Sequence, residues 1–367
     1  MPPSKSTVTS LDGTRLAVYT YPGAGPILLC IHGYPDNAAL WAPVAELLAD
    51  DFQVVAYDVR GAGESDHPST TSAYTLNRLQ EDFQAVLNHV APEPLPGIPE
   101  PPSRASEPAG ASEPAAGASE PAAGAPEPAA GAPEPAGAPE PAAGAPEPPA
   151  GAPEPPAGAP GPPAGASAPS PRAAGVAARP VHVLAHDWGS IQAWHPITNP
   201  ALQARIASFI SISGPSLDHA GYSIRRPTKN TLRQLIHSWY IFYFHLPWLP
   251  ELGWRSGWAH RAFNRLEPQT AADRNLTDYT NGIKLYRANV LKHLIRPEER
   301  RTAVPVLAVA PERDPFVTTA LQTDIARWAP NSTVEVVRGG HWMPRNNPGE
   351  VARLVREHTR RVAGLEA

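Results

Sequence analysis

Apolar and polar positions divide most of the chain into strand-like and helix-like stretches that alternate. Residues 7–21 alternate about Asp12-Gly13 and predict a hairpin. Short apolar runs at 26–31 and 52–57 predict strands, with a helix near 40–49 between them. Leu76, Leu79, Phe83, Val86, Leu87 and Val90 recur at helical spacing and mark one face of a helix. Further strands are predicted at 180–185, 206–213, 304–310 and 333–337. Helices are predicted after Trp188, near 319–328 and at 348–361. Such alternation implies an α/β fold, a mostly parallel sheet with helices on both faces. The stretch 214–301 breaks the pattern, being helical and rich in Trp and Tyr, and is expected to form an inserted helical cap. The core is then expected over 1–90, 179–213 and 302–367.

Composition sets residues 91–178 apart. Most of the 48 prolines fall there, in a repeat that drifts from ASEPAAG through APEPAAG to APEPPAG. A seven-residue period can signal a coiled coil, but no apolar seam exists and proline recurs in every copy, which blocks a helix. With so little apolar surface to bury, ordering the segment is unfavourable. We read 91–178 as a disordered, partly polyproline-II spacer, with a partner-binding strip as the alternative. Its ten Glu and two Arg outweigh the net charge of −5 of the whole chain. The remainder is therefore nearly neutral, and nothing in it suggests nucleic-acid binding. The spacer joins a helix end to the start of the strand 180–185. In open parallel sheets ligands bind at the other edge, by the carboxyl ends, so the insert is expected to emerge far from any active site.

The single cysteine, Cys30, lies in an apolar run and reads as a buried structural thiol, which suits a reducing compartment. The N-terminal MPPSKSTVTS lacks a signal pattern, and the most apolar stretch, 236–249, is too short to span a bilayer. A cytoplasmic location is expected, with peripheral membrane association left open and no integral membrane segment.

The candidate chemistry begins at Ala185-His186-Asp187-Trp188-Gly189. Small residues flank the tip as in a nucleophile elbow, G-x-S-x-G, but the tip holds Asp187. An Asp there could instead cap the following helix. Two distant residues favour the elbow. Asp314 follows the strand 304–310 and His341 follows the strand 333–337, both just past strand carboxyl ends. The order nucleophile, acid, histidine is that of the α/β-hydrolase triad.

At these residues the chain resembles the α/β-hydrolase superfamily and, within it, the epoxide hydrolases. The resemblance covers nearly everything outside 91–178. His32-Gly33-Tyr34-Pro35 is similar to the HGxP motif, and Asp58-Val59-Arg60-Gly61-Ala62-Gly63-Glu64-Ser65 to the DxRGxGxS loop. The resemblance implies a cis peptide before Pro35 and an oxyanion hole formed by the Tyr34 and Trp188 amides. His32 and Gly33 are expected to be structural. HDWGS narrows the likeness to members with an Asp nucleophile. The family also uses two cap tyrosines to hold the epoxide oxygen. Here Tyr286 resembles one and Tyr240 the other, with Tyr243 competing for the second role. The likeness extends to actinobacterial proteins in which such a hydrolase precedes a short-chain dehydrogenase domain; this chain is expected to end at the hydrolase terminus, without that second domain.

The expected function is opening of a lipophilic small-molecule epoxide to a vicinal diol through an Asp187 alkyl ester, with no metal or organic cofactor. An epoxide carbon is an alkyl electrophile that a carboxylate can attack in line. A haloalkane dehalogenase with the same nucleophile is the alternative. That family commonly has Asn where Tyr34 stands, and a second donor beside Trp188. A non-catalytic binding protein is a third, weaker reading.

Overall fold

In the computed structural model, residues 2–92, 180–226, 228–266 and 274–364 are described. Eight strands form one sheet: β1 (Ser4–Thr9), β2 (Arg15–Thr20), β3 (Ile27–Ile31), β4 (Gln53–Tyr57), β5 (Val181–His186), β6 (Ile206–Ile212), β7 (Val306–Pro311) and β8 (Ser332–Val337). Their order is β1-β2-β4-β3-β5-β6-β7-β8. The hairpin β1–β2 joins β4 antiparallel, and every later pairing is parallel. The expected α/β-hydrolase fold is what the chain adopts.

Each central strand is buried on both faces, so period-2 alternation sorts its side chains between two cores. Leu29, Ile31, Val183, Ala185 and Phe209 point to one core, which also takes in α2 (Leu76–Val90) and α3 (Trp188–Ile197). Leu28, Cys30, Leu184, Ile210 and Leu307 point to the other. That face is covered by α1 (Ala42–Leu47) and by the helix Pro348–Val362. Cys30 is a free, fully buried thiol within this second core, as expected.

After α4 (Pro200–Gln203) and β6, the chain leaves the sheet through six helices. These are α5 (Leu217–Ile224), α6 (Lys229–His237), α7 (Trp239–His245), α8 (Leu249–Arg255), α9 (Trp258–Leu266) and α10 (Leu276–Ile295). They form the cap. It returns to β7, followed by α11 (Thr319–Thr323), β8, α12 (Met343–Asn346) and α13 (Pro348–Val362). Two helices differ from their expected extents. Over 40–49 a 3-10 turn, Ala38–Trp41, precedes α1, because Pro43 fits only the first turn of a helix. At 319–328 the helix stops at Thr323 and irregular turns follow, although Ile325, Trp328 and Ala329 still bury there.

The expected spacer, 91–178, lies outside the described residues but for Ala91 and Pro92. The described ends flanking it converge on one residue. Arg205 donates from its guanidinium to Ala91 O at 2.7 Å, and its own carbonyl accepts from Val181 N at 2.9 Å. Among the described residues no helix is long and apolar enough to cross a membrane.

Candidate active site

β5 ends at His186 and α3 begins at Trp188, so Asp187 alone turns the chain. Its φ of 51° is costly for a residue with a side chain. Close backbone packing holds the turn. A Cβ on Gly189 would lie 2.2 Å from Ile31 O, and one on Gly214 would lie 2.2 Å from Asp187 O. The carboxylate does not cap α3. Instead Oδ1 accepts from Tyr34 N at 2.7 Å, and Oδ2 lies 3.4 Å from His341 Nε2. The Tyr34-Pro35 peptide is cis.

The loops after β7 and β8 bring the other two triad candidates to the same place. Asp314 Oδ1 accepts from Phe316 N at 2.8 Å and Val317 N at 3.0 Å, which fixes the carboxylate. Its Oδ2 lies 2.8 Å from His341 Nδ1. His341 is buried, which disfavours its charged form. Asp314 and Asp187 overcome that burial and push its pKa up to about 10. Neighbouring His186 behaves oppositely. Burial and the nearby His341 lower it to about 4, and its Nε2 donates to His341 O at 2.9 Å. His32 is tied into the loops, with Nε2 accepting from Val59 N at 2.9 Å.

Facing the carboxylate from the cap are Tyr240 on α7 and Tyr286 on α10, their rings 5.8 Å apart and nearly perpendicular. The Tyr286 ring is 4.8 Å from the Trp188 ring and 5.6 Å from that of Tyr34. Burial raises both phenol pKa values, and the Asp187 charge raises them further. Tyr243 lines the same cavity, but its hydroxyl donates to Leu249 O at 3.4 Å and responds to Glu251 rather than Asp187.

The enclosed space is about 130 Å³, bounded by Tyr34, Asp187, Tyr240, Tyr286, Phe316 and His341. A larger chamber of about 550 Å³ lies beyond Tyr240 and Phe316, which line both spaces with ring centroids 5.2 Å apart. Sequence reasoning missed Phe316, whose only signal was its position two residues past Asp314. It also missed Asp36, which directly follows the HGYP motif. Asp36 accepts from Trp342 Nε1 at 3.0 Å, Arg274 Nε at 2.7 Å and Arg345 Nη2 at 3.1 Å. It thereby ties the loop bearing Tyr34 to the residue after His341 and to the cap.

One group of metal-ligand residue types exists among the described residues, His195, Asp218 and His293. Arg300 Nε already donates to Asp218 Oδ2 at 2.6 Å. With its carboxylate already paired to a cation, this cluster is an ion pair within the cap that lies 3.8 Å from His195 Nε2 of α3.

A parallel sheet with a strained elbow, an acid and a histidine at successive strand ends defines an α/β hydrolase whose elbow carries a carboxylate. Comparison with known proteins agrees. A model of the alpha/beta hydrolase family matches residues 151–354, and one of the alpha/beta hydrolase fold matches 26–95. The chain belongs to the alpha/beta hydrolase family. It is 26% identical to the Probable oxidoreductase EphD of Mycobacterium tuberculosis over 95% of this chain and 48% of that protein. The chain thus spans about half the length of that relative. Epoxide hydrolase 3 of Mus musculus is 23% identical over 96% of this chain and 74% of its own length. Among solved structures, an epoxide hydrolase from Bacillus megaterium in complex with an inhibitor superposes with a TM-score of 0.62. The two are 17% identical, over 96% of this chain and 99% of the other.

Proposed function

We propose that this chain is an epoxide hydrolase that opens a lipophilic epoxide to a vicinal diol through an alkyl ester on Asp187. One observation carries the reading: a carboxylate held between an amide donor and a charged histidine, with two buried phenols opposite. The core (1–90, 179–213 and 302–367) would supply the triad and the cap (214–301) the phenols. The relatives named epoxide hydrolases support the same reading.

Asp187 Oδ2, facing the cavity beside His341, attacks a ring carbon in line, and the ring C–O bond breaks. Tyr240 and Tyr286 hydrogen-bond the leaving oxygen and give it a proton, help worth about 10²–10⁴-fold. Oδ1 stays against the Tyr34 amide as the ester carbonyl. Esterification removes the Asp187 charge that helped hold the His341 proton, so His341 gives that proton up, by way of solvent, to the phenolate left by ring opening and becomes a free base. It then takes a proton from water as that water attacks the ester carbonyl. The Tyr34 and Trp188 amides stabilise the oxyanion, about 10²–10³-fold per donor. Collapse breaks the ester C–O bond and the departing diol oxygen takes the proton from His341; the second proton of the water, left on the Asp187 carboxyl, then passes to His341, which restores the carboxylate and the charged histidine. No metal or organic cofactor takes part.

The test offers the full chain a panel of epoxides and haloalkanes and scores diol against halide. Diol formation, lost in Asp187→Ala, is expected. Halide release would transfer the same nucleophile to the dehalogenase reading, and turnover unchanged in Asp187→Ala would sink the nucleophile assignment.

A further inference from the structure

An amphipathic helix on a protein surface ordinarily turns its apolar face to the core. α6 does the reverse. Its half-buried positions are polar. Gln234 Nε2 donates to Phe316 O at 2.8 Å, and Gln234 Oε1 accepts from both Thr318 N and Thr318 Oγ1 at 2.8 Å. No residue of α6 is fully buried, while Leu232 and Ile236 are 63% and 66% exposed. The next elements continue the pattern. Trp239 and Phe242 on α7 are each 65% exposed, and Trp248 is 67% exposed.

The charge around these side chains is one-sided. Within α6–α8 stand Lys229, Arg233 and Arg255, all exposed, against one acid, Glu251. Glu251 is already bound by Arg287. Exposed tryptophans beside a row of cations match the headgroup region of a bilayer, where indoles are favoured and anionic lipids attract Lys and Arg. The same helices also line both spaces: Trp239 lines the reaction cavity, and Leu235 and Phe242 line the larger chamber.

We propose that the outward face of α6–α8 docks on an anionic lipid bilayer, with Leu232, Ile236, Trp239, Phe242 and Trp248 entering the headgroup layer and Lys229 and Arg233 meeting anionic lipids. A second copy of the chain fits this face less well. A symmetric pair would set Lys229, Arg233 and Arg255 against the same three cations, and like charges set face to face across an interface oppose association. The proposal goes beyond the proposed chemistry and does not depend on it, because binding is read without turnover.

The experiment floats the full chain with vesicles of phosphatidylcholine alone or mixed with phosphatidylglycerol, at low and high salt. Flotation is expected with the anionic vesicles and should weaken with salt. The triple variant Leu232→Ser, Ile236→Ser, Trp248→Ser should lose about tenfold or more in binding. Its melting curve should be unchanged, as should turnover of a small soluble epoxide if the wild type shows any. Lys229→Glu with Arg233→Glu should abolish the preference for anionic vesicles. Wild-type chain that stays unbound, or a triple variant that floats like wild type, overturns the proposal. So does a wild-type dimer in sedimentation velocity that the triple variant converts to monomer, since the face would then cover a second copy.

Discussion

His341 is buried between two carboxylates, and the balance of these effects governs its behaviour with pH. Burial disfavours its charge, Asp314 and Asp187 favour it, and its folded pKa of about 10 lies above the usual 6.5. A group raised in this way lends stability that is fully present below pH 6.5 and is lost as pH rises through about 10. The wild-type melting temperature should therefore fall between these values more steeply than that of His341→Gln, as differential scanning fluorimetry would read. The same variant should still form the Asp187 ester but fail to release it, so intact mass should rise by the mass of one epoxide. Tyr240→Phe and Tyr286→Phe should each slow ester formation by about 10²-fold. Tyr243→Phe should leave it unchanged, because that hydroxyl faces Leu249 O. An effect of Tyr243 equal to that of Tyr240 in single-turnover kinetics would reverse the assignment. The sequence alone could not separate these two tyrosines. They sit three apart on one helix and both line the cavity; only the direction of each hydroxyl differs.

Among the elements, α10 spans the cap and meets the core at both ends. Near its start, Asp278 accepts from Gly63 N at 2.8 Å. Near its end, Asn289 accepts from Leu76 N and donates to Tyr74 O, each at 2.8 Å. One turn on, His293 Nδ1 lies 2.9 Å from Asp218 Oδ1 of α5, and Asp218 also accepts from Arg300 Nε at 2.6 Å and Glu298 N at 3.0 Å. Removing Asp218 would strand buried partners, so Asp218→Ala should cost about 3–5 kcal/mol in a urea titration. Between these ties, Gly282 lets the ring of Tyr34 lie against the helix. A Cβ there would approach Tyr34 Cδ2 to 2.1 Å. Gly282→Ala should therefore displace Tyr34 and lower kcat by more than it lowers stability, which kinetics and a melt on one sample would compare. The meeting of Asp187, Asp314 and His341 was legible because each directly follows a strand end that the apolar pattern marks. Asp218 was not, because its partners lie 75–82 residues away and no pattern links them. Nor was the orientation of α6, since an apolar spacing announces a stripe without saying which way it faces.

For the whole molecule, the interruption at 92–180 falls where α2 ends and β5 begins, and Asp187 lies at the opposite end of β5. Arg205 holds both flanking ends, through Ala91 O and Val181 N. Replacing 93–179 with a short Gly/Ser linker should leave melting temperature and turnover of small epoxides nearly unchanged. A folded but inactive deletion would show that the insert reaches the site. Alternation and strand spacing were enough to reveal the sheet across this interruption. The two separate family matches, 26–95 and 151–354, fall on either side of most of it.

The shared grip of Arg205 also bears on how this gene can change. The composition of 91–178 predicts a flexible spacer, whose closing cost would grow only with the logarithm of its length, so one seven-residue unit more or less should alter it by about 0.1 kcal/mol. With both exits clamped, such a change shifts neither the register of β5 nor the elbow beyond it. Copy number in the repeat is then nearly invisible to selection on catalysis. Alleles of different length should coexist among close strains and share the same kinetic constants.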